Sequence, residues 1–153
     1  MLRAARSSAA LAAVVLLAGG CFGGSGGGSS SGVSHAQFVS QAQAICATYQ
    51  KRIALLKGAT TLPQLAEQGR RAIALEAAEL KRLRALTPPT ADRAAFDHML
   101  DSLQTGIGTA QDLVAAADAR NTAKVASDAT TLREQLAATN RLAQPFHLAL
   151  CAS

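Results

Sequence analysis

The sequence predicts an all-α protein: an antiparallel up-down four-helix bundle behind a disordered N-terminal signal and linker. Three observations lead there. The 153 residues are 49% hydrophobic but only 3% aromatic, with no Trp, so much of the apolar bulk is Ala, the strongest helix former. A sandwich or barrel would instead be rich in Val, Ile, Thr and aromatic residues. Four stretches place mostly apolar residues at steps of three and four, the helical period. The turns between them are short, which favours antiparallel neighbours at shallow crossing angles.

The chain opens with an address. In residues 1–20, Arg3 and Arg6 form a basic start, and no charge follows from Ser7 to Gly20, with an apolar centre at Leu11–Leu17. This is shorter than a membrane span needs and has the layout of a signal peptide. Leu17-Ala18-Gly19-Gly20-Cys21 resembles the lipobox of bacterial lipoproteins, with Ala18 where Leu is usual. The resemblance implies cleavage before Cys21 and acylation (palmitate) of its thiol, which anchors the chain outside the cell membrane. The alternative is ordinary cleavage after Ala18 or Gly20, with Cys21 incidental. It leaves the Gly/Ser run at 22–32 unexplained, whereas a tethered domain needs a flexible spacer. The run at 22–32, within the linker segment 21–33, spans ~19 Å root-mean-square as a coil.

Residues 34–153 are expected to form the bundle. The first helix starts at Ser34, where Ser34 and Gln37 fit a capping box and Val33 with Phe38 a hydrophobic staple. It is expected to reach Lys57 and stop at Gly58, with a seam at Phe38, Ala42, Ile45, Tyr49, Ile53 and Leu56. The second starts with Thr61 and Gln64 as another capping box and Pro63 in the first turn. Its seam is Leu62, Ala66, Gly69, Ile73, Ala77, Leu80 and Leu83, and Thr87-Pro88-Pro89-Thr90 ends it. The third follows Thr90, with Asp92 complementing the helix dipole and a seam of Phe96, Leu100, Leu103, Ile107, Ala110, Val114 and Ala117. The fourth begins after Asn121 or Thr122 as cap. It carries Val125, Ala129, Leu132, Leu136, Thr139 and Ala143, and Pro145 is expected to end or kink it.

With these elements placed, the chain resembles a group of small secreted proteins and lipoproteins of actinobacteria. The resemblance rests on Phe38 before Ala44-Ile45-Cys46-Ala47, on Leu83-Arg84-Ala85-Leu86-Thr87-Pro88-Pro89, and on Cys151 near the C-terminus. Where those proteins often have a Gly-Leu pair before the last cysteine, this chain has Pro145-Phe146-His147-Leu148. The resemblance implies a helical, disulfide-tied domain and carries no activity with it.

Three cysteines is an odd number for a secreted chain. With Cys21 lipidated, Cys46 and Cys151 remain to pair in an oxidising compartment. The register opposes this at first sight. At 1.5 Å per residue, Cys46 lies ~16 Å down the first helix, and a straight fourth helix would carry Cys151 ~44 Å down from the same end. A disulfide spans ~4.4–6.8 Å between Cα atoms. The expectation is therefore a break at or just before Pro145. Phe146–Cys151 would then fold back along the first helix, Phe146 and Leu150 would cover the open end, and the 58–60 linker would let the first helix sit lower than the second.

No catalytic constellation is present, so a non-enzymatic protein is expected. Glu76-Ala77-Ala78-Glu79 lacks the His of a di-iron Glu-x-x-His motif. There is no haem C-x-x-C-H, no nucleophile elbow and no phosphate loop around Gly106-Ile107-Gly108, so no cofactor is expected. Asp97, His98 and Asp101 are the weak candidates for a metal site, although the seam at Phe96 and Leu100 points that cluster to solvent. The net charge is +5. Without Arg3 and Arg6 it is 13 basic against 10 acidic residues, about +3, too mild to indicate nucleic acid.

Gly69, Gly106 and Gly108 fall within helices, where each costs roughly 1 kcal/mol relative to Ala. Two readings stand: close helix approach, which is the commoner cause, or a small ligand gap. The expected function is a membrane-anchored extracytoplasmic binding or interaction module, its partner an envelope protein or a small apolar ligand. The alternative is a small-ligand or metal carrier using the bundle interior or the His98 cluster. A cavity between the helices would favour the carrier, and a clustered exposed apolar patch a protein partner.

Overall fold

The computed structural model describes residues 32–148. The expected signal at 1–20, Cys21, the linker up to residue 31, and Leu150 and Cys151 lie outside the described residues. Those described fold into four helices, α1 (His35–Ile53), α2 (Leu62–Arg84), α3 (Arg93–Asp118) and α4 (Thr122–Ala143), followed by a 3-10 turn at Gln144–Phe146. Together they make a helical bundle. None of these helices is long and apolar enough to cross a membrane.

The starts follow the capping residues. At α1, the Gln37 amide donates to Ser34 Oγ (3.3 Å) and the Ser34 amide to Gln37 Oε1 (3.1 Å), which satisfies two otherwise orphaned N–H groups. Val33 stays exposed, while Phe38 is fully buried. At α2 only half of the expected box forms. Thr61 Oγ1 caps the Gln64 amide, but Gln64 Oε1 reaches past Thr61 to the amide and hydroxyl of Thr60. Asp92 makes no capping bond; its carboxylate instead lies 2.7 Å from His35 Nδ1, joining the starts of α1 and α3. Asn121, not Thr122, caps α4 by accepting from the Lys124 amide at 3.0 Å.

The ends are set by burial and turn geometry. α1 stops at Ile53, four residues before Lys57, and unwinds through short-range bonds at Leu55 and Leu56. Leu55 is 81% exposed: no neighbouring helix covers that side, so no burial sustains another turn. α4 ends at Ala143, just before Pro145, as expected. His147 adopts the left-handed conformation (φ 52°), and the Leu148 amide returns to the Ala143 carbonyl at 3.1 Å. That is the Schellman closure of a helix, and it turns the chain back toward α1.

α3 is the spine of the bundle and packs against both α2 and α4. Arg70 pairs with Asp118 and Arg84 with Asp101, so the start of α2 meets the end of α3 and the reverse. Ser102 Oγ lies 2.6 Å from Thr139 Oγ1, which matches an early turn of α3 with a late turn of α4. The larger core, at the α1 start, gathers Phe38, Phe96 and Phe146 edge to face, with centroids 4.7–6.0 Å apart, the geometry ring quadrupoles favour. Val39, Ala42, Cys46, Leu83, Met99 and Leu148 join it. A smaller core of Ala66, Val114 and Ala117 lies toward the other end and contains no α1 residue. α1, the shortest of the four helices, thus packs at the end of the bundle that holds the larger core.

Candidate ligand-binding cavity

The two cores are separate clusters of buried residues joined through the partly buried Ile73. Between them all four helices border a partly enclosed cavity of about 60 Å³, room for about four waters. α1 contributes Gln50 and Ile53; α2 Glu76, Glu79 and Leu80; α3 Leu103, Gly106, Ile107 and Ala110; α4 Leu132, Leu136 and Thr139.

Gly106 borders the gap and leaves it unfilled. A Cβ added there would meet nothing within 4 Å, whereas one added at Gly69 would stand 2.5 Å from Val114 Cγ2. The mid-helix glycines thus have different causes. Gly69 permits close approach of α2 and α3, and Gly106 leaves space. Gly108 also faces open space but does not border the cavity.

The α2 register puts acid where an apolar residue was expected. Ala77, assigned to the seam, is exposed, while Glu76 is half-buried and Glu79 is 3% exposed. An unbroken four-three alternation from Leu62 runs through Ala66, Gly69, Ile73, Glu76, Leu80 and Leu83. Ala77 is one place off that alternation, so the spacing itself marks Glu76. Glu79, one helical turn further on, shares its face.

Glu79 Oε1 is buried and has no hydrogen-bond partner. Burial, with a smaller contribution from the charge of Glu76, pushes the Glu79 carboxyl up to about 8. Burial also raises Glu76 above the usual carboxylate range. Removal from water disfavours the charged form, and two like charges disfavour it further. No Lys, Arg or His borders the cavity. Thr139 is engaged elsewhere, donating to the Gln135 carbonyl and bonding Ser102.

The residues singled out from sequence lie elsewhere. Asp97, His98 and Asp101 are exposed on α3, with the Arg84 guanidinium 3.7 Å from Asp101. Among the described residues no group of three His, Cys, Asp or Glu is placed to hold a metal ion. Cys46 is buried in the larger core and is not a free thiol. No protein-family profile, curated protein or solved structure matches this chain.

Proposed function

We propose that this chain is a lipid-anchored extracytoplasmic binding module that takes a small molecule into the interior of its bundle without transforming it. The observation that carries the reading is the cavity at Gly106, bordered by all four helices and by a buried carboxyl, Glu79, whose Oε1 has no hydrogen-bond partner. Ligand sites between the helices of a bundle are lined in this way, by apolar walls and a few polar groups. The alternative of a protein-docking face lacks its expected mark. Among the described residues the exposed large hydrophobics are Val33 and Leu55, at opposite ends of α1, and they form no patch.

Two further parts of the proposal concern the cysteines. Cys21 carries the lipid, on the strength of the signal layout before it. Cys46 pairs with Cys151, and the course of the chain supports this. Leu148 is buried in the same core as Cys46, and the three further residues to Cys151 span up to ~10 Å.

The test is mass spectrometry of small molecules that co-purify with the protein from its own membrane, compared with Gly106→Leu, which fills the cavity. A small molecule retained by the wild type and absent from the variant is the expected result. A protein partner captured equally by both, with no small molecule in either, would overturn the reading.

A further inference from the structure

We infer that the cavity takes a small alkylammonium group, its nitrogen held at Glu79 and Glu76 and its hydrocarbon against Ile53, Leu80, Leu103, Ile107 and Leu136. The inference rests on the cavity-binding proposal and names the chemistry of the occupant. Its first ground is Glu79 Oε1, which is buried and lacks any donor. Buried acceptors are normally satisfied, and an ammonium supplies three donors and no acceptor. Its second ground is the charge of the lining. α2 contributes two carboxyls; α1 faces them with Gln50 and Ile53, α3 with Leu103, Gly106, Ile107 and Ala110, and α4 with Leu132, Leu136 and Thr139. None of these can neutralise a carboxylate, so the countercharge has to arrive with the ligand. The third ground is shape: the remaining walls are mostly hydrocarbon, and about 60 Å³ suits a short alkyl chain. A transition metal is disfavoured, because no third His, Cys, Asp or Glu completes its ligand set among the described residues.

Binding then carries a proton balance. Without the cation, burial keeps Glu79 protonated at neutral pH. When an ammonium enters, the carboxyl proton leaves to solvent and a carboxylate–ammonium pair replaces it, so one charge enters and one proton departs. Such a charge-assisted bond is stronger than a neutral one. Affinity accordingly rises with pH up to about 8.

Calorimetry on the full lipidated protein in detergent decides the matter, with n-butylammonium and n-butanol as probes in two buffers of different ionisation heat. The expected result is saturable binding of butylammonium, with butanol weaker by at least about tenfold. At pH 7, close to one proton should be released per bound ion. Glu79→Gln should weaken butylammonium by at least about tenfold and abolish the proton release, while leaving butanol nearly unchanged. Glu76→Gln should give a smaller loss in the same direction. Butanol binding as tightly as butylammonium, with both lost in Gly106→Leu, would sink the cation inference and leave the cavity reading standing. Stoichiometric calcium binding lost in Glu79→Gln would replace the ammonium by a metal ion. No saturable binding of either probe would overturn the inference, and the co-purification result would then decide the cavity reading separately.

Discussion

Gln43 Nε2 donates to the main-chain carbonyl of His147 at 3.3 Å, a bond between residues 104 positions apart. It fastens the segment after the α4 break to α1, one turn from Cys46. The fold-back brings the described end of the chain, His147 and Leu148, to the first helix.

The first prediction follows from that geometry. Non-reducing peptide mapping of the mature protein should yield one crosslinked peptide containing Cys46 and Cys151. Reduction should lower stability by up to ~4–5 kcal/mol, the chain-entropy value for a loop of about a hundred residues. Free thiols at both positions, or a dimer joined through either, would refute the pairing.

The glycines give a paired prediction. Gly69→Ala forces its methyl onto Val114, whose β-branched side chain is stiff, and should destabilise by ~1–3 kcal/mol. Gly106→Ala meets open space and should stabilise by ~0.5–1 kcal/mol through helix propensity. Adding Val114→Ala to Gly69→Ala should recover part of the strain. Urea unfolding of the four proteins checks all three statements, and equal effects at the two glycines would contradict them.

Stability should fall as pH rises from about 4.5 to 8, in part because of Glu79. Below its ordinary value of 4.5 the carboxyl is neutral whether folded or not, and costs nothing. Between 4.5 and about 8 the unfolded chain ionises while the folded one keeps its proton, so rising pH favours unfolding. The full effect is on the order of 5 kcal/mol. Glu79→Gln preserves the shape of the neutral side chain and removes the titration. Its advantage over wild type should therefore grow across this window. Parallel pH profiles for the two proteins would show that Glu79 is not buried as described.

Anchoring is checked by intact mass. The mature protein should begin at Cys21 and carry acyl chains, and Cys21→Ser should release it from the membrane or leave the precursor uncleaved. An unmodified terminus at another residue would exclude the lipid.

The helices were legible in the sequence because each carries its own local determinants. Ser34 with Gln37, Thr61, Asn121 and Pro145 mark boundaries through hydrogen bonds and dihedral limits that act within a few residues. The regular spacing from Phe96 to Ala117 defines a buried stripe in the same local way. What escaped depends on neighbours distant in the chain. α1 ends at Ile53 rather than Lys57 because nothing packs over Leu55. Asp92 turns to His35 because α1 begins beside it. Gly69 and Gly106 read alike in sequence, yet one is pressed against Val114 and the other faces a void. Glu76 turns inward because α2 keeps its four-three register where hydrophobicity alone pointed to Ala77, and Glu79, one turn on, is buried by the helices that pack over the same face. The sequence by itself determined where helices start, which stripes are apolar and where the chain must break. Tertiary structure decided which small residue is packed and which leaves room, and which carboxyl is withdrawn from water, because packing and desolvation depend on atoms that other helices bring.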